Sequence, residues 1–256
     1  MNGVDSRRAF FSIAGAGVLL AACRNAESAE PSARNSTPST ATRDSSATKD
    51  DAPDKHPGEE VSATEDLMRE HGVIRRILVV YREAATRLRA NPASLPPDAL
   101  QRAARLMRSF GEDYHEKQLE ETHIFPALLK SGGPLVGTVN TLVAQHQRGR
   151  EITEYVLARA QSAIAAHDAE PLARTLEAFA RMYEEHAAIE DTDVFPAWKR
   201  VLGPKQLDEM GDRFEEIEHE TFGKDGFEDA VRQIGAIEKS LGIDLAGLTA
   251  PPPPKP

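Results

Sequence analysis

The segment HAAIEDTDVFP, residues 186–196, constrains the fold of this chain more than any other stretch. It places His186 and Glu190 four residues apart and ends at Phe195-Pro196. On an α-helix, residues i and i+4 lie on the same face, about 6 Å apart along the axis. A helix in this segment therefore directs an imidazole and a carboxylate toward one point, which suits a first-row metal ion.

A partial repeat of this segment lies 70 residues earlier in the chain, where EETHIFPA matches EDTDVFPA. Alignment on the shared Phe-Pro pair places Glu120 opposite Glu190 and Glu116 opposite His186. The pattern indicates two helical hairpins of similar design, each of which offers histidine and carboxylate side chains.

The first copy of the repeat departs from the i, i+4 spacing, because His115 is followed by Leu119 at that distance and by Glu120 one residue later. A one-residue π-bulge near Gln118 would bring His115 and Glu120 onto the same face of the helix, and such bulges are frequent at functional sites. Alternatively, Glu116 and Glu120 bind the metal and His115 lies beside them. We favour His115 and Glu120 as ligands and keep Glu116 as the reserve.

Apolar residues recur at helical spacing in four long stretches of the chain. Histidines occupy positions of this apolar stripe in three of them: His71 in the first, His146 in the third and His186 in the fourth. No stretch alternates with period two, and turn-forming residues separate the stretches. We therefore predict an all-α fold, an up-down antiparallel four-helix bundle with two short C-terminal helices that cap it. The predicted boundaries are 62–200 for the bundle, 201–248 for the C-terminal helices and 249–256 for a Pro-rich tail.

Several imidazoles and a carboxylate in one core cost free energy unless a charged group neutralises them. Facing helices that converge on a metal ion remove that cost, as in di-iron carboxylate bundles. We therefore predict a metal site that is built by six residues, namely His71, His115, Glu120, His146, His186 and Glu190.

Other potential ligands are placed outside this set. Asp191 lies about 140° around the helix from His186 and therefore off the apolar stripe, so we favour Glu190 over Asp191 as the ligand. His123 is predicted to lie at the solvated surface. The remaining histidines are predicted to be structural or exposed: His56, His167 and His219.

The first 22 residues resemble an export signal of the twin-arginine type, with Arg7 and Arg8 ahead of an apolar run over residues 13–22. That run is shorter than the about 20 residues that span a bilayer. Cys23, the only cysteine, follows Leu-Ala-Ala as in bacterial lipoproteins, where this cysteine is lipidated. The alternative is an ordinary signal peptide with an incidental cysteine. Twin-arginine export carries proteins that have already folded, often with a cofactor, which agrees with a metal site.

Residues 23–61 are rich in Ser, Thr, Ala, Pro and Asp, and we predict that they form a disordered tether with a reach of about 35 Å. We expect a protein on the periplasmic side of a bacterial membrane, anchored through lipidated Cys23. The residue after Cys23 is Arg24 and not an aspartate, which resembles the pattern of lipoproteins that are sorted to the outer membrane. The net charge of −10 argues against nucleic acid as a partner.

Two stretches, DYHEKQLEETHIFP and EEHAAIEDTDVFPAW, resemble the signature helices of hemerythrin-like domains. The resemblance covers residues 62–200 and rests on the order of the motifs across four helices. It implies a four-helix bundle that holds two non-haem iron ions, with an open position for O₂ or another small ligand. It also implies that Glu120 and Glu190 bridge the irons and that the four histidines of the predicted site are terminal ligands.

The extra residue between His115 and Glu120 is one departure from the family pattern, and a second departure concerns the respiratory hemerythrins. These carry a second histidine one turn after the histidine that matches His146, and Arg150 stands there in this chain. A site with one imidazole fewer is richer in oxygen donors, which stabilises ferric iron. Reversible O₂ carriage therefore follows less directly from the resemblance than iron binding does.

Three functions stay open at this point. The favoured one is a membrane-tethered di-iron protein that binds or senses O₂ or a related diatomic or peroxide ligand, and we favour such a binding protein over an enzyme. The second is a di-iron oxidoreductase that consumes peroxide or NO, or a ferroxidase. The third is a metal-buffering module that holds zinc or manganese, because His and carboxylate ligands alone do not determine the metal.

Overall fold

The computed structural model describes residues 61–96, 98–244 and 246–254. The predicted export signal with Arg7 and Arg8, the lipidation site Cys23, the tether up to residue 60 and His56 all lie outside the described residues. Among the described helices, none is both long enough and apolar enough to span a bilayer.

Six helices and one short 3₁₀ turn make up the described part of the chain, and it contains no strand. The second and the fourth helix each run without a break through three consecutive segments, the middle one of which is π-helical. The helices are α1 (Ala63–Ala90), α2 (Ala99–Leu106, Met107–Ile124 and Phe125–Ser131), α3 (Val136–Arg159), α4 (Ala166–Ile189, Glu190–Val194 and Phe195–Leu202), α5 (Pro204–Phe222) and α6 (Gly226–Ser240). The 3₁₀ turn, Pro92–Ser94, connects α1 to α2.

The ends of these helices follow from local residue chemistry. Ser62 caps the start of α1, where its hydroxyl accepts a hydrogen bond from the Glu65 backbone N–H at 3.4 Å. Helices α2 and α4 both end at a glycine with positive φ, Gly132 at 71° and Gly203 at 74°. Residues with a Cβ rarely adopt this conformation, so glycine ends both helices, seven residues after Phe125 in α2 and eight residues after Phe195 in α4.

Contacts between helices show that neighbouring helices run antiparallel. Arg89, near the end of α1, pairs with Glu170 near the start of α4 at 2.8 Å, whereas His71, near the start of α1, contacts Asp191 near the end of α4 at 2.7 Å. The polar contacts between α2 and α3 and between α3 and α4 likewise join the first half of one helix to the second half of the other. The predicted all-α fold, an up-down four-helix bundle with two further helices, is confirmed.

An aromatic stack fills the half of the bundle next to the predicted site. Tyr81 packs edge-on against Phe179 at 5.3 Å between ring centroids, and Phe179 stacks on Tyr183 at 4.4 Å. Tyr183 in turn contacts the His186 ring at 5.3 Å. Burial of one such ring contributes about 1.5–3 kcal/mol, so the stack holds α4 firmly where it enters the site.

Helices α5 and α6 lie along the outer side of α1 and α2. Arg76 of α1 forms two hydrogen bonds with Glu238 of α6, at 2.9 and 2.6 Å. Phe222 of α5 packs edge-on against Tyr114 of α2 at 5.2 Å. The two C-terminal helices thereby cover the side of the bundle on which Tyr114 supports the site.

Candidate metal centre

The six side chains that the sequence predicts as ligands meet inside the bundle. Each is at most 3% exposed, so the group is shielded from solvent. They come from four helices: His71 from α1, His115 and Glu120 from α2, His146 from α3, and His186 and Glu190 from α4.

Each of the two carboxylates reaches one histidine with each of its oxygens. Glu120 places Oε1 3.4 Å from His115 Nε2 and Oε2 3.3 Å from His146 Nε2. Glu190 places Oε1 3.1 Å from His186 Nε2 and Oε2 3.4 Å from His71 Nε2. The donors therefore form two positions that share both carboxylates.

We call the two ends of this arrangement position A and position B. Position A is bounded by His71 and His115, whose ring centroids lie 4.7 Å apart. Position B is bounded by His146 and His186, whose ring centroids lie 4.8 Å apart. Ligand atoms of Glu120, His146, His186 and Glu190 all lie within 4.8 Å of one another at position B, and those of His71, His115 and Glu120 do so at position A, so each group could hold a metal ion.

Several of these donor atoms have no hydrogen-bond partner among the described residues. They are Nε2 of His115 and both carboxylate oxygens of Glu120 and of Glu190. A buried polar atom without a partner costs about 1–3 kcal/mol, and native proteins rarely keep five together. Two cations, one at each position, would satisfy all five atoms, so the residues present fit a pair of metal ions.

A π-helical segment brings His115 and Glu120 together. It spans 18 residues, Met107–Ile124, and the Phe125 backbone N–H donates to the Glu120 carbonyl, five residues back. Because π-helical hydrogen bonds join residues five apart, His115 and Glu120 lie on one face. The structure thus has the first of the two arrangements left open by the sequence, although the π-helical segment is longer than the single-residue bulge predicted.

Glu116, the reserve ligand, lies beside the shared carboxylates. Its Oε1 accepts a hydrogen bond from the Tyr183 hydroxyl at 2.7 Å, and its Oε2 accepts one from Arg150 at 3.1 Å. The distance from its Oε2 to His146 Nδ1 is 4.0 Å. Burial raises the pKa of Glu116 to about 7, although the charge of His146 and the Tyr183 hydroxyl act in the opposite direction.

The second nitrogen of every site histidine has a partner that the sequence analysis did not identify. Nδ1 of His71 contacts Asp191 at 2.7 Å and Nδ1 of His115 contacts Glu70 at 2.5 Å. Nδ1 of His146 contacts Glu121 and Nδ1 of His186 contacts Gln145, both at 2.9 Å. Such partners orient an imidazole so that Nε2 faces the metal.

A signal for these partners was present in the sequence. Glu70 and Gln145 directly precede His71 and His146, and Glu121 and Asp191 directly follow Glu120 and Glu190. Each of the four, however, contacts a histidine on a different helix from its own. Asp191 in particular contacts His71 with its carboxylate, instead of competing with Glu190.

The carboxylates around the site change the pKa values of its histidines. Burial alone lowers the pKa of His146, but the charges of Glu116 and Glu120 outweigh it and raise the pKa to about 10. Burial alone would raise the pKa of Glu190, yet the adjacent His186 and His71 hold it well below its usual range. In the metal-free protein, protons therefore compensate the negative charge of the carboxylates.

A small cavity adjoins the donor atoms. It is lined by Ile74, Glu116, Tyr183 and Ala187 together with side chains of the site, and its volume is about 10 Å³, which is close to what one water-sized molecule needs. A wider groove of about 880 Å³ between the start of α1 and α5 includes none of the six predicted ligands. The small cavity, unlike the wider groove, therefore lies directly beside the predicted ligands.

The described histidines outside the set do not reach the site. His167 and His219 are exposed, as predicted. His123 was predicted to be solvated. It is instead half-buried against Phe214, at 5.7 Å between ring centroids.

Comparisons with known proteins agree with this geometry. The family model of the hemerythrin HHE cation-binding domain matches residues 62–198, which include all six predicted ligands. Uncharacterized proteins of Mycobacterium bovis and of two strains of Mycobacterium tuberculosis are each 47% identical over 203 residues, which are 77% of this chain and 78% of theirs. No solved structure matches the chain significantly.

Proposed function

The chain belongs to the hemerythrin HHE cation-binding domain family, and we propose that it holds two non-haem iron ions and binds O₂ or a related small ligand at them. The observation that carries the proposal is the pair of shared carboxylates. Glu120 and Glu190 each direct one oxygen to position A and the other to position B. Carboxylates that are shared in this way suit two metal ions, one at each position.

The proposed ligands divide evenly between the two ions. His71 and His115 would hold the ion at position A, His146 and His186 would hold the ion at position B, and both carboxylates would bridge. Imidazole and carboxylate donors suit iron, and they also suit zinc and manganese, so the metal is part of the test. When bound, a pair of iron ions supplies one-electron redox chemistry at each ion and a place for a small ligand.

The surrounding side chains control what reaches the site. The buried walls exclude bulk water, which strengthens the electrostatic interactions of a bound small molecule with its surroundings. The Tyr183 hydroxyl and the Glu116 carboxylate border the cavity, where they can donate or accept a hydrogen bond. Arg150 forms ion pairs with Glu116 and Glu121, so it supports these carboxylates where respiratory hemerythrins place an imidazole.

A second candidate function is a di-iron oxidoreductase that reduces peroxide or NO. The observation that favours it is Glu116, because a carboxyl group with a pKa of about 7 can take up and release a proton beside the cavity. Consumption of substrate over many turnovers would distinguish this function from reversible binding.

We also propose that the protein is exported and lipid-anchored. The supporting features are the Arg7-Arg8 pair before a short apolar run and Cys23 after Leu-Ala-Ala. Cys23→Ala should move the protein from the membrane fraction to the soluble periplasmic fraction, whereas a variant of both arginines should remain in the cytoplasm. Equal membrane association with and without Cys23 would contradict the anchor.

The experiment that tests the di-iron proposal measures metal content and the ultraviolet–visible spectrum of the full chain. The spectrum is recorded on the anaerobically reduced protein and again after exposure to air. We expect two irons per chain and a charge-transfer band that appears with O₂. Loss of that band when O₂ is removed would favour binding or sensing over oxidation. A colourless protein with one zinc ion, or with no metal, would contradict the proposal.

A further inference from the structure

We infer that positions A and B differ in their affinity for a metal ion, and that position A binds its ion more tightly than position B. Gln145 is the positioning residue that causes this difference. This inference rests on the two-ion site proposed above. It starts from a comparison of the four side chains that contact the Nδ1 atoms of the site histidines.

Two of the four histidines have equivalent partners. His71 Nδ1 contacts the Asp191 carboxylate, which also forms an ion pair with Arg75. His146 Nδ1 contacts the Glu121 carboxylate, which also forms an ion pair with Arg150. Each of these carboxylates is only partly buried, with 19% exposure for the Asp191 side chain and 26% for that of Glu121. These partners therefore contribute about equally to position A and to position B.

The other two histidines differ in their partners. His115 at position A contacts the carboxylate of Glu70, which is buried and also accepts a hydrogen bond from the Tyr114 hydroxyl at 2.8 Å. His186 at position B contacts Oε1 of Gln145, a neutral amide. Glu70 and Gln145 both directly precede a site histidine, so they occupy matching places in the two hairpins.

A carboxylate and an amide affect an imidazole differently. When a carboxylate accepts the Nδ1–H, its negative charge makes Nε2 more basic and a stronger metal donor, whereas the oxygen of an amide carries only a partial charge. Changes in such partners typically alter metal affinity by about 10–100-fold. With two carboxylate-supported histidines at position A and one at position B, the ion at position B is held less tightly and exchanges first.

The ligands themselves do not create this inequality. Both positions have two histidines, and both share the same two carboxylates. Among the four side chains within hydrogen-bond distance of the Nδ1 atoms, Asp191, Glu70, Glu121 and Gln145, only Gln145 is neutral. A protein that holds one ion should therefore hold it at position A.

The experiment measures the two stepwise dissociation constants of the metal-free full chain. Zn²⁺ is titrated against a competing chromophoric chelator, and Fe²⁺ is titrated under anaerobic conditions. We expect two steps that differ by at least about tenfold in the wild-type protein. Gln145→Glu should tighten the weaker step by about tenfold and leave the stronger step in place.

Gln147→Glu is the matched control, because Gln147 is exposed on the same helix and the substitution adds the same charge. It should leave the ratio of the two constants unchanged. Glu70→Gln tests the inference from the other side and does not depend on whether the Gln145 variant folds. It makes the two positions alike, so it should weaken the stronger step until the two constants nearly coincide.

Two ions bound with equal constants in the wild-type protein would overturn the inference and leave the di-iron proposal intact. A Gln145→Glu effect no larger than that of Gln147→Glu would overturn it as well. Fewer than two bound ions in the wild-type protein would instead overturn the two-ion site itself, and this inference with it.

Discussion

The Nε2 atoms of His146 and His186 lie 3.0 Å apart across the interface of α3 and α4. The amide oxygen of Gln145 can only accept, so His186 must carry its proton on Nδ1. Nδ1 of His146 likewise faces a carboxylate, that of Glu121. The two Nε2 atoms therefore direct lone pairs at each other unless a proton or a metal ion lies between them. The nearby carboxylates of Glu116, Glu120 and Glu121 raise the pKa of His146 to about 10, so in the metal-free protein they favour a proton on this imidazole.

Replacement of His186 should remove the ion at position B. His186→Ala deletes a donor of position B and leaves the Glu190 carboxylate, 3.1 Å from the lost nitrogen, without that partner. We expect the metal content to fall from two ions per chain to at most one, as measured by elemental analysis after dialysis. His219→Ala is the control, because His219 is exposed and lies outside the site. Equal metal content in the two variants would refute the site assignment.

Removal of the metal should lower the melting temperature. An ion that binds only the folded chain stabilises it by about 2.7 kcal/mol when its concentration is 100 times the dissociation constant. Chelation should therefore decrease Tm by several degrees in a calorimetric scan, and readdition of the ion should restore it. In the His186→Ala variant, which should keep at most one ion, the same treatment should lower Tm less than in the wild-type protein. A wild-type Tm that does not respond to chelation would argue against a buried ion.

Gly149 should not tolerate a larger side chain. A Cβ at this position would lie 2.0 Å from the Tyr183 hydroxyl oxygen, and the rings of the aromatic stack prevent Tyr183 from moving away. We expect Gly149→Ala to destabilise the protein by about 1–3 kcal/mol in denaturant unfolding.

The control for this prediction is Gly137→Ala on the same helix, where nothing lies within 4 Å of the added Cβ. Alanine is the better helix former, so this substitution should stabilise the protein by about 0.5–1 kcal/mol. If both variants lost stability equally, contact with Tyr183 would not be the cause of the loss at Gly149, because Gly137 has no such contact.

Stability should decrease as the pH rises from about 5 to about 7, in part because of Glu218. Burial and the nearby carboxylates of Glu70 and Asp225 raise the pKa of Glu218 from its ordinary 4.5 to about 7. Between these values the folded chain binds more protons than the unfolded chain, so the free energy of unfolding decreases with increasing pH.

Glu218→Gln keeps an acceptor for the Phe227 backbone N–H and removes the titration. The variant should therefore show a smaller loss of Tm between pH 5 and pH 8 than the wild-type protein. Asp208→Asn, which removes an exposed carboxylate of the same helix, should follow the wild-type profile. A Glu218→Gln profile that matches the wild type would show that Glu218 is ionised throughout this range.

The helices and the six candidate ligands could be predicted from the sequence because both depend on local spacing. His186 and Glu190 share a face on any regular helix, and a histidine in an apolar stripe must face the core. The spacing of five between His115 and Glu120 was different, because it is compatible with two hydrogen-bond registers. The π-helical segment that selects one of them forms where α2 packs against its neighbours, which local spacing does not encode.

The sequence by itself therefore determined the helical bundle and the kinds of side chain that enter its core. Only the tertiary structure decided which atoms meet there, since the partners lie as far as 120 positions apart in the chain, as do His71 and Asp191. Neighbours in the chain, such as Glu70 and His71, point to different helices, so adjacency could not show that Glu70 supports His115. The packing of the helices sets those distances, and with them the difference between Glu70 and Gln145 on which the inequality of the two positions depends.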